Sequence, residues 1–581
     1  MRQLQRQGLV VALTAMAVGV GCTADEPASG RGPSVVVYTP DAVQIPAVSG
    51  LESIRVTALR EGEVLSEDTF SYAAGGGDLA GIDYGDGIQL AVEGLDGLGN
   101  PVLRGMSSPF SFTPSGSTLP DLDRDGGPDV PVFISAPDSF SPATALRQGS
   151  TGEAPLVPQP VYFQVARQRA GHAQVKLPNG LVLVTGGATF APDGEAIPGA
   201  PAGLGLVEVL DAVEVYDPQN GLFFERSPLQ QPRAFHSMTV LNDGRVLVAG
   251  GVGVIVKQDG TRQIETLGTA EIFDPARPSD PWQFVPVGLF EGRAWHTATL
   301  RTLDGRVALI GGRNITGDGA TVLASAEFFN PATDRFELNA GAAEILMGEP
   351  RAEHATVLLK TGVGAGATLL VIGGVNDGGA LRTTEVLRVV GDVDRVAFSS
   401  GPALRSARYA HGAISATPEE GNLVVVAGGL DGAGGTVAGI EVLDIALNEF
   451  FPVDELGAGR AYVELLELPQ TREIMLLGGL GADGNPVDGA ERLVYDAATM
   501  RYLRSPVEGA MQIPRFWHRY LLLDNGLILV TGGVGVDASG YISLDQAEVF
   551  NPDDGPPGGL EDEFLTGGDE DSALLGLKHR P

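Results

Sequence analysis

Hydrophobic residues in this chain fall into short runs separated by turn residues, and seven of these runs end in a pair of glycines. The runs are LVLVTGG (181–187), RVLVAGG (245–251), RVALIGG (306–312), TLLVIGG (368–374), LVVVAGG (423–429), EIMLLGG (473–479) and LILVTGG (527–533). Apolar runs of this length between turn signals predict short buried strands. Their recurrence at intervals of roughly 50 to 64 residues predicts a repeat architecture.

The residues around each glycine pair predict three further strands per repeat. Turn signals such as LPNGL, LNDGR and LDNGL precede the run, and Asn-Gly or Asp-Gly supplies the positive φ of a two-residue hairpin turn. A segment of the type VEVYDP or AEIFDP follows, in which proline ends the strand because it lacks a ladder donor. A fourth segment is aromatic or β-branched. Each repeat therefore predicts four short antiparallel strands.

Charged and polar residues recur at fixed places in the repeat. An arginine stands before each first strand: Arg169, Arg233, Arg293, Arg351, Arg408, Arg460 and Arg515. A histidine follows three residues later in six copies: His172, His236, His296, His354, His411 and His518. Val463 holds that place in the sixth copy. A glutamate opens each third strand: Glu214, Glu271, Glu327, Glu385, Glu441, Glu491 and Glu548.

The arginines and glutamates allow two interpretations. In an up-and-down four-stranded unit both groups lie near the same face, so each repeat can hold a partly buried ion pair that fixes its packing. The alternative is that the arginines bind acidic ligands. We favour the structural role, because a binding site seldom needs every repeat to be alike. The histidines are not expected to bind metal, since symmetry spreads them around a ring.

The glycine pair, the R-x-x-H before it and the E-h-h-[DN]-P after it resemble the kelch family of β-propellers, in particular the central domain of galactose oxidase. The resemblance covers about residues 161–552 and implies seven blades. The last copy lacks a fourth strand, and VYFQV (161–165) precedes the first repeat arginine. We therefore expect residues 161–165 to complete the last blade and remove the exposed sheet edges.

A second domain is predicted before the repeats. Alternating β-type stretches over residues 34–134 suit a small immunoglobulin-like β-sandwich. The expected fold class is thus all-β, a seven-bladed kelch β-propeller (161–552) preceded by an Ig-like sandwich (34–134). Residues 135–160 are predicted as a linker, and residues 553–581 as an acidic disordered tail.

An alternating aspartate pattern lies inside the predicted sandwich. PDLDRDGGPD (120–129) places Asp121, Asp123, Asp125 and Asp129 around a glycine pair. Carboxylates two residues apart in a tight loop can converge on calcium, and the segment resembles the aspartate repeats of thrombospondin type 3. Val132 stands where an EF-hand has its closing glutamate, so a solvated acidic loop is the alternative. No other cofactor is expected.

The N-terminus predicts export. Two arginines precede an apolar run that is short for a membrane span, and the only cysteine of the chain, Cys22, follows it. This resembles a bacterial lipoprotein signal (1–21) followed by a lipid tether (22–33), although Gly19 replaces the leucine usual in that family. Thr23 after the cysteine implies an outer-membrane or cell-surface location. An ordinary secretory signal is the alternative.

Composition narrows the function. The formal charge of −35 argues against nucleic acid as a partner, and the single cysteine excludes internal disulfides and the cysteine–tyrosine copper site of galactose oxidase. We expect a non-catalytic protein that binds a protein or glycan on the face bearing loops 188–211 and 252–268, with the membrane reached only through the lipid. A carbohydrate-active enzyme resembling sialic-acid mutarotases is the alternative.

Overall fold

The computed structural model describes residues 51–71, 85–113, 129–142 and 167–552, with internal gaps at 220, 258–259, 278, 280, 318, 338–344, 360–367, 390–395, 417–422, 497–498 and 500. It also describes isolated strands at 11–16, 34–38, 78–80, 116–117, 145–147 and 157–159. All regular structure in these residues is β. None of them forms a helix long and apolar enough to cross a membrane.

Seven antiparallel sheets, numbered 1 to 7 in chain order, occupy the described part of the repeat region. Sheets 1 to 3 contain Ala173–Lys176, Val182–Thr185, Val213–Asp217 and Leu222–Arg226; Ser237–Val240, Val246–Ala249, Ala270–Phe273 and Trp282–Phe284; Thr297–Leu300, Val307–Ile310, Ser325–Asn330 and Arg335–Glu337, with Ile345–Leu346 beside the third strand. Sheets 4 and 5 contain Ala355–Leu358, Leu369–Ile372, Thr384–Val389 and Val396–Ser400; Gly412–Ala416, Leu423–Ala427, Gly439–Asp444 and Glu449–Glu455. Sheets 6 and 7 contain Leu466–Glu467, Ile474–Leu477, Gly489–Asp496 and Arg501–Ala510; Arg519–Leu522, Ile528–Thr531, Ala547–Asn551 and Ser139–Pro142.

The apolar runs form the second strand of each sheet. All four residues are buried in six of these strands, and four of the five in sheet 5 are buried as well. Their side chains point alternately to the two sides of the sheet. Each sheet therefore shares one apolar cluster with the preceding sheet and another with the following one.

The succession of clusters returns to its start. Val182 and Val184 of sheet 1 share a cluster with Leu529 and Val549 of sheet 7. Antiparallel four-stranded sheets stacked face to face in this way are consistent with a β-propeller.

The fourth strand of sheet 7 is Ser139–Pro142, whose residue Ser141 pairs with Val549. The prediction that residues 161–165 fill this position is wrong, and residues 160–166 lie outside the described part of the chain. The predicted linker therefore contributes a strand to the repeat region. The reason is chain direction: Ser135 already lies beside Asn551, where the fourth strand must begin, so residues 139–142 are the first segment available.

The N-terminal region contains two sheets. One has Glu63–Ser71, Ser53–Arg60, Gly85–Leu95, Phe110–Thr113 and Gly116–Ser117 in this order, with Pro101–Met106 beside Gly85–Leu95. The other has the order Asp129–Phe133, Ser34–Tyr38, Val11–Met16 and Asp78–Ala80. Val35 and Val132 of the second sheet share an apolar cluster with Ile54 and Val92 of the first. Val11–Met16 belongs to the predicted signal, so its pairing is that of the unprocessed chain.

The N-terminal region contacts sheet 7. Gln89 donates a hydrogen bond to the Asp524 carbonyl at 2.9 Å, in the turn between the first and second strands. Asn551, at the end of the third strand, donates to the carbonyl of Arg104 at 3.1 Å and that of Ser135 at 3.2 Å. These contacts lie on the face that carries the first-to-second turns.

Further small sheets rise from the opposite face, which we call the arginine face because the repeat arginines lie there. Five of them connect second and third strands and contain Ala188–Ala191, Glu195–Ala196 and Gly205–Val209; Val252–Val256 and Arg262–Thr266; Arg313–Thr316 and Gly319–Val322; Val375–Asn376 and Gly379–Ala380; and Val534–Asp537 and Gly540–Ser543. In the sixth, Leu480–Gly481 of such a connection pairs with Arg460–Ala461, which precedes the first strand of sheet 6. Ala145–Arg147 pairs with Val157–Gln159 separately.

The closing strand can be tested by a disulfide. Cysteines at paired positions of neighbouring strands lie at distances that a disulfide can bridge. The double variant Ser141→Cys/Val549→Cys is expected to crosslink under mild oxidation, as measured by peptide mass spectrometry. The matched variant Phe163→Cys/Val549→Cys is expected to remain reduced. A crosslink through residue 163 with none through residue 141 would contradict the observed pairing.

Candidate functional site

Equivalent backbone hydrogen bonds join neighbouring sheets on the arginine face. In each, the second glycine of the pair donates to the carbonyl of the next repeat arginine, at 2.8 to 3.0 Å. The bonds are Gly187 to Arg233, Gly251 to Arg293, Gly312 to Arg351, Gly374 to Arg408, Gly429 to Arg460, Gly479 to Arg515 and Gly533 to Arg169. The last one joins sheet 7 to sheet 1.

The glycine pair is required by this junction. The first glycine approaches the next arginine so closely that a Cβ on Gly186 would lie 2.3 Å from the Arg233 carbonyl oxygen. The second glycine has a strongly positive φ, 95° at Gly187 and 104° at Gly533. A side chain is excluded by contact at the first position and disfavoured by conformation at the second.

The side chain of the same arginine closes its own sheet. Arg233 donates from Nη1 to the Gly250 carbonyl at 2.7 Å and from Nη2 to Glu271 at 2.8 Å. Glu271 also accepts the backbone N–H groups of Gln230 and Gln231. The ion pair recurs as Arg169–Glu214, Arg293–Glu327, Arg351–Glu385, Arg408–Glu441, Arg460–Glu491 and Arg515–Glu548. Both partners are buried in every copy.

The repeat histidines fill the space between sheets. The ring of His236 lies against Gly186 of the preceding sheet, and its Nε2 is 2.9 Å from Thr185 Oγ1. His172, His296 and His354 have comparable hydroxyl partners. In contrast, neither ring nitrogen of His411 has a hydrogen-bond partner among the described residues. Burial lowers the pKa of all six histidines, to about 3 for His296, His411 and His518.

One further position of the repeat, between the arginine and the histidine, also recurs in all seven sheets. We call the position two residues after the arginine the ring position; it holds Gly171, Phe235, Trp295, Glu353, Ala410, Tyr462 and Trp517. All seven have a φ between 51° and 61°. Six backbone N–H groups donate to the carbonyl of the preceding ring position, at 2.7 Å for Phe235 to Gly171 and 3.2 Å for Gly171 to Trp517. Residues bonded in this succession surround a common axis.

The predicted partner loops 188–211 and 252–268 lie on the arginine face but are largely strands. They stand beside the connections of sheets 7 and 3, held by hydrogen bonds from Phe190 N to Ser543 Oγ and from Ile315 N to Thr266 Oγ1. Together these connections form a wall over one side of the axis. Beneath the wall is an apolar cluster that includes Phe190, Leu206, Phe235, Ile264, Phe516, Trp517 and Val534.

The other side of the axis, over sheets 4 to 6, holds a cavity of about 270 Å³ that we call the axial pocket. Its polar side chains are Arg313, Glu353, Tyr409 and Tyr462, and its apolar walls include Val375, Leu430 and Leu480. The segment 199–201 of the first connection covers it from across the axis. The pocket therefore combines a few polar groups with apolar walls, as small-molecule sites do.

Glu353 is the ionisable group at the centre of the pocket. Its side chain is 4% exposed and its Oε1 lies 3.3 Å from Arg313 Nη2, while its Oε2 has no hydrogen-bond partner among the described residues. Burial raises the pKa of the Glu353 carboxyl, and Arg313 lowers it in part. Burial also raises the pKa of the Tyr409 and Tyr462 hydroxyls, so both remain neutral hydrogen-bond donors.

The sequence analysis did not identify the pocket residues. The signal that could have found them is the ring position, which varies while the arginine, histidine and glycines around it repeat. Glu353 is the one charged residue at this position.

The predicted calcium and lipid sites fall elsewhere. Asp121, Asp123 and Asp125 lie outside the described residues, as does Cys22, and Asp129 is described only as the first residue of a strand. Within the described residues no group of three or more His, Cys, Asp or Glu side chains is arranged to hold a metal ion. The six repeat histidines are thus not gathered at ligand distance.

Comparison with known proteins gives structural similarity only. No family model matches the chain, and no curated protein matches it. Among solved structures it is similar to YjhT, at 14% identity and a TM-score of 0.42, covering 59% of this chain and 100% of that one. It is also similar to a fungal alcohol oxidase of the AA5 family in complex with copper, at 14% identity and a TM-score of 0.47, covering 66% of this chain and 74% of that one.

The buried histidines predict acid sensitivity. Because their folded pKa values lie below the unfolded value of about 6.5, the unfolded chain takes up protons first as the pH falls. Each histidine contributes stability that is fully present above about pH 6.5 and is lost as the pH falls below that value, by about 1.4 kcal/mol per pH unit. For His296, His411 and His518 the loss continues to about pH 3. His411→Val is expected to weaken this pH dependence, measured by urea unfolding between pH 7 and pH 4.5.

The sixth copy supplies the rationale and the control. Val463 occupies the same place with its methyl groups against Gly428 and Gly479, so His411→Val should change the stability at pH 7 by about 1 kcal/mol or less. His236→Val, which also removes the bond to Thr185, should cost more at pH 7. If the free energy of unfolding of His411→Val fell with pH as steeply as that of the wild type, the assignment of a neutral buried histidine would be contradicted.

Proposed function

We propose that this chain is an exported, lipid-anchored, non-catalytic binding protein that takes a glycan at the axial pocket of a kelch-type propeller. The observation that carries the proposal is Glu353. Its carboxylate is buried, has one oxygen without a partner among the described residues, and stands in a backbone conformation that disfavours side chains. A ligand that hydrogen bonds to this oxygen would offset costs that folding alone leaves in place.

The proposal includes a finer architecture. We infer that the seven sheets are the blades of one closed ring and that the N-terminal sheets form an Ig-like sandwich. Supporting the ring are the bond from Gly533 to Arg169 and the cluster shared by sheets 7 and 1. Supporting the sandwich is the apolar cluster common to both N-terminal sheets.

A neutral hydroxylated ligand suits the pocket chemistry. Arg313 and Glu353 cancel in charge, which leaves little net attraction for an ion. Two tyrosine hydroxyls and one carboxylate oxygen can exchange hydrogen bonds with sugar hydroxyls, while Val375, Leu430 and Leu480 offer apolar contact to a sugar ring. The cavity of about 270 Å³ is near the lower limit of small-molecule sites. This size favours a single terminal sugar residue.

The attachment of the N-terminal region fits presentation away from a membrane. Gln89, Arg104 and Ser135 contact sheet 7 on the face opposite the arginine face. An anchor at Cys22 would therefore hold the ring from the side without the pocket. The predicted partner loops keep a role in this proposal for an outer-membrane or cell-surface protein: segment 199–201 of the first covers the pocket, and the second belongs to the wall on the other side of the axis.

A second candidate is an enzyme that acts on carbohydrates, such as a sialic-acid mutarotase. It is favoured by one observation: burial raises the pKa of Glu353, which moves the carboxyl toward the range in which it can donate and accept a proton. Copper-radical oxidation of the galactose-oxidase type is excluded, because the chain has only one cysteine, Cys22.

The binding proposal can be tested with an array of neutral and acidic glycans and the full chain. Wild-type protein is expected to bind a set of terminal sugars, and Glu353→Gln to weaken that binding about 10- to 100-fold, since hydrogen bonds to charged groups contribute about 1.5–3 kcal/mol. Glu449→Gln removes an equal charge from an exposed pair with Arg405 and should leave binding unchanged. Absence of wild-type binding to every glycan would contradict the proposal.

The same variants separate binding from catalysis. Addition of wild-type protein to a sugar that it binds should leave the rate of anomer interconversion, followed by NMR, at its uncatalysed value. Acceleration by the wild type that is lost in Glu353→Gln would replace the binding proposal by the enzyme.

A further inference from the structure

We propose that the seven ring positions form a reading ring, in which the residues of sheets 4 to 6, Glu353, Ala410 and Tyr462, determine which ligand the axial pocket accepts. This inference rests on the proposed function, because it assigns the specificity of the same pocket. The remaining four ring positions, in sheets 7, 1, 2 and 3, serve the fold.

The backbone of the ring is uniform while its side chains are not. All seven residues share the same left-handed conformation and lie between an arginine and a histidine, or Val463, that pack against glycine pairs. Residues other than glycine are disfavoured in this conformation. Six of the seven positions nevertheless carry a side chain, and interactions of the large side chains can offset the strain.

On the wall side that interaction is packing. Phe235 and Trp517 are buried in the apolar cluster, with ring centroids 4.9 Å apart, and Trp295 stacks on Phe235 at 4.6 Å. Gly171 is required because the Phe235 ring would lie 2.6 Å from a Cβ at that position. These residues stabilise the wall connections above them.

On the pocket side the interactions are incomplete. Glu353 and Tyr462 both line the cavity, and Tyr462 packs one side of its ring against Phe516 at 5.9 Å. Glu353 Oε2 has no hydrogen-bond partner among the described residues. The carboxyl of Glu353 and the hydroxyl of Tyr462 thus line one cavity, where a single ligand can contact both.

Ala410 stands between these two residues in the ring. Its N–H donates to the Glu353 carbonyl at 2.9 Å, and its carbonyl accepts from the Tyr462 N–H at 2.8 Å. The equivalent position holds tryptophan in sheets 3 and 7, with nearly the same φ of 51° to 54°. The ring backbone therefore accepts a large side chain, and Ala410 carries only a methyl group between the two ring residues that line the pocket.

The experiment compares ring variants of the full chain on the glycan array and by thermal unfolding. Ala410→Trp is expected to weaken binding at least tenfold with the fold intact, because two other blades hold tryptophan there. Ala410→Gly should keep the wild-type binding profile and raise Tm by about 2 °C, because it relieves the left-handed strain. Tyr462→Phe should keep Tm within about 2 °C of the wild-type value and change the order of preference among the bound glycans.

Trp295→Ala is the matched control within the ring. It should lower Tm through lost stacking and leave the binding profile as in the wild type. If both Ala410→Trp and Tyr462→Phe kept the wild-type glycan-binding profile, the inference that ring residues determine specificity would be wrong while the proposed function would stand. If Ala410→Trp does not fold, Tyr462→Phe alone decides. Absence of binding by the wild type would overturn the proposed function and the ring with it.

Discussion

The hydrogen bond from the second glycine of one sheet to the arginine carbonyl of the next is the contact on which the other repeated features depend. It brings the first glycine so close to the next sheet that a Cβ there would meet the arginine carbonyl, while the second glycine has a positive φ that disfavours a side chain. The space left by the missing side chains is filled by the histidine or, in sheet 6, by Val463. The arginine then reaches back into its own sheet with its guanidinium, so one residue holds both the junction and the sheet.

This junction also explains why seven buried arginines are tolerated. A guanidinium out of water is costly unless it is paired and hydrogen bonded. Each repeat arginine donates to a carboxylate and to the first glycine carbonyl, and each glutamate outside sheets 1 and 6 accepts two backbone N–H groups besides. The charge of each pair is therefore compensated within the fold, and among the hydrogen-bonding groups of the arginines only Nε, in every copy except Arg515, has no partner among the described residues.

The sequence alone predicted the features that each repeat determines from its own residues. The apolar runs marked the second strands, and the spacing of arginine and glutamate placed both near one face. The closing strand depended instead on where the chain leaves the N-terminal sheets. As a sequence pattern, Ser139–Pro142 predicts a strand less strongly than VYFQV (161–165) does. Asn551 nevertheless holds Ser135 close to the place where the fourth strand must start. The pocket was equally non-local, since segment 199–201 of the first connection covers Glu353 across the axis.

The contrast between Glu353 and the repeat glutamates is the strongest reason to locate function in the axial pocket. Glu271 and Glu353 are the same residue type, and the side chains of both are buried. Glu271 has an arginine at 2.8 Å and two backbone donors, whereas Glu353 has an arginine at 3.3 Å and an oxygen with no hydrogen-bond partner among the described residues. The repeat glutamates have their hydrogen bonds made by the fold, whereas the carboxylate of Glu353 lacks one and its backbone is strained. The ligand proposed for the pocket would supply the remaining hydrogen bond.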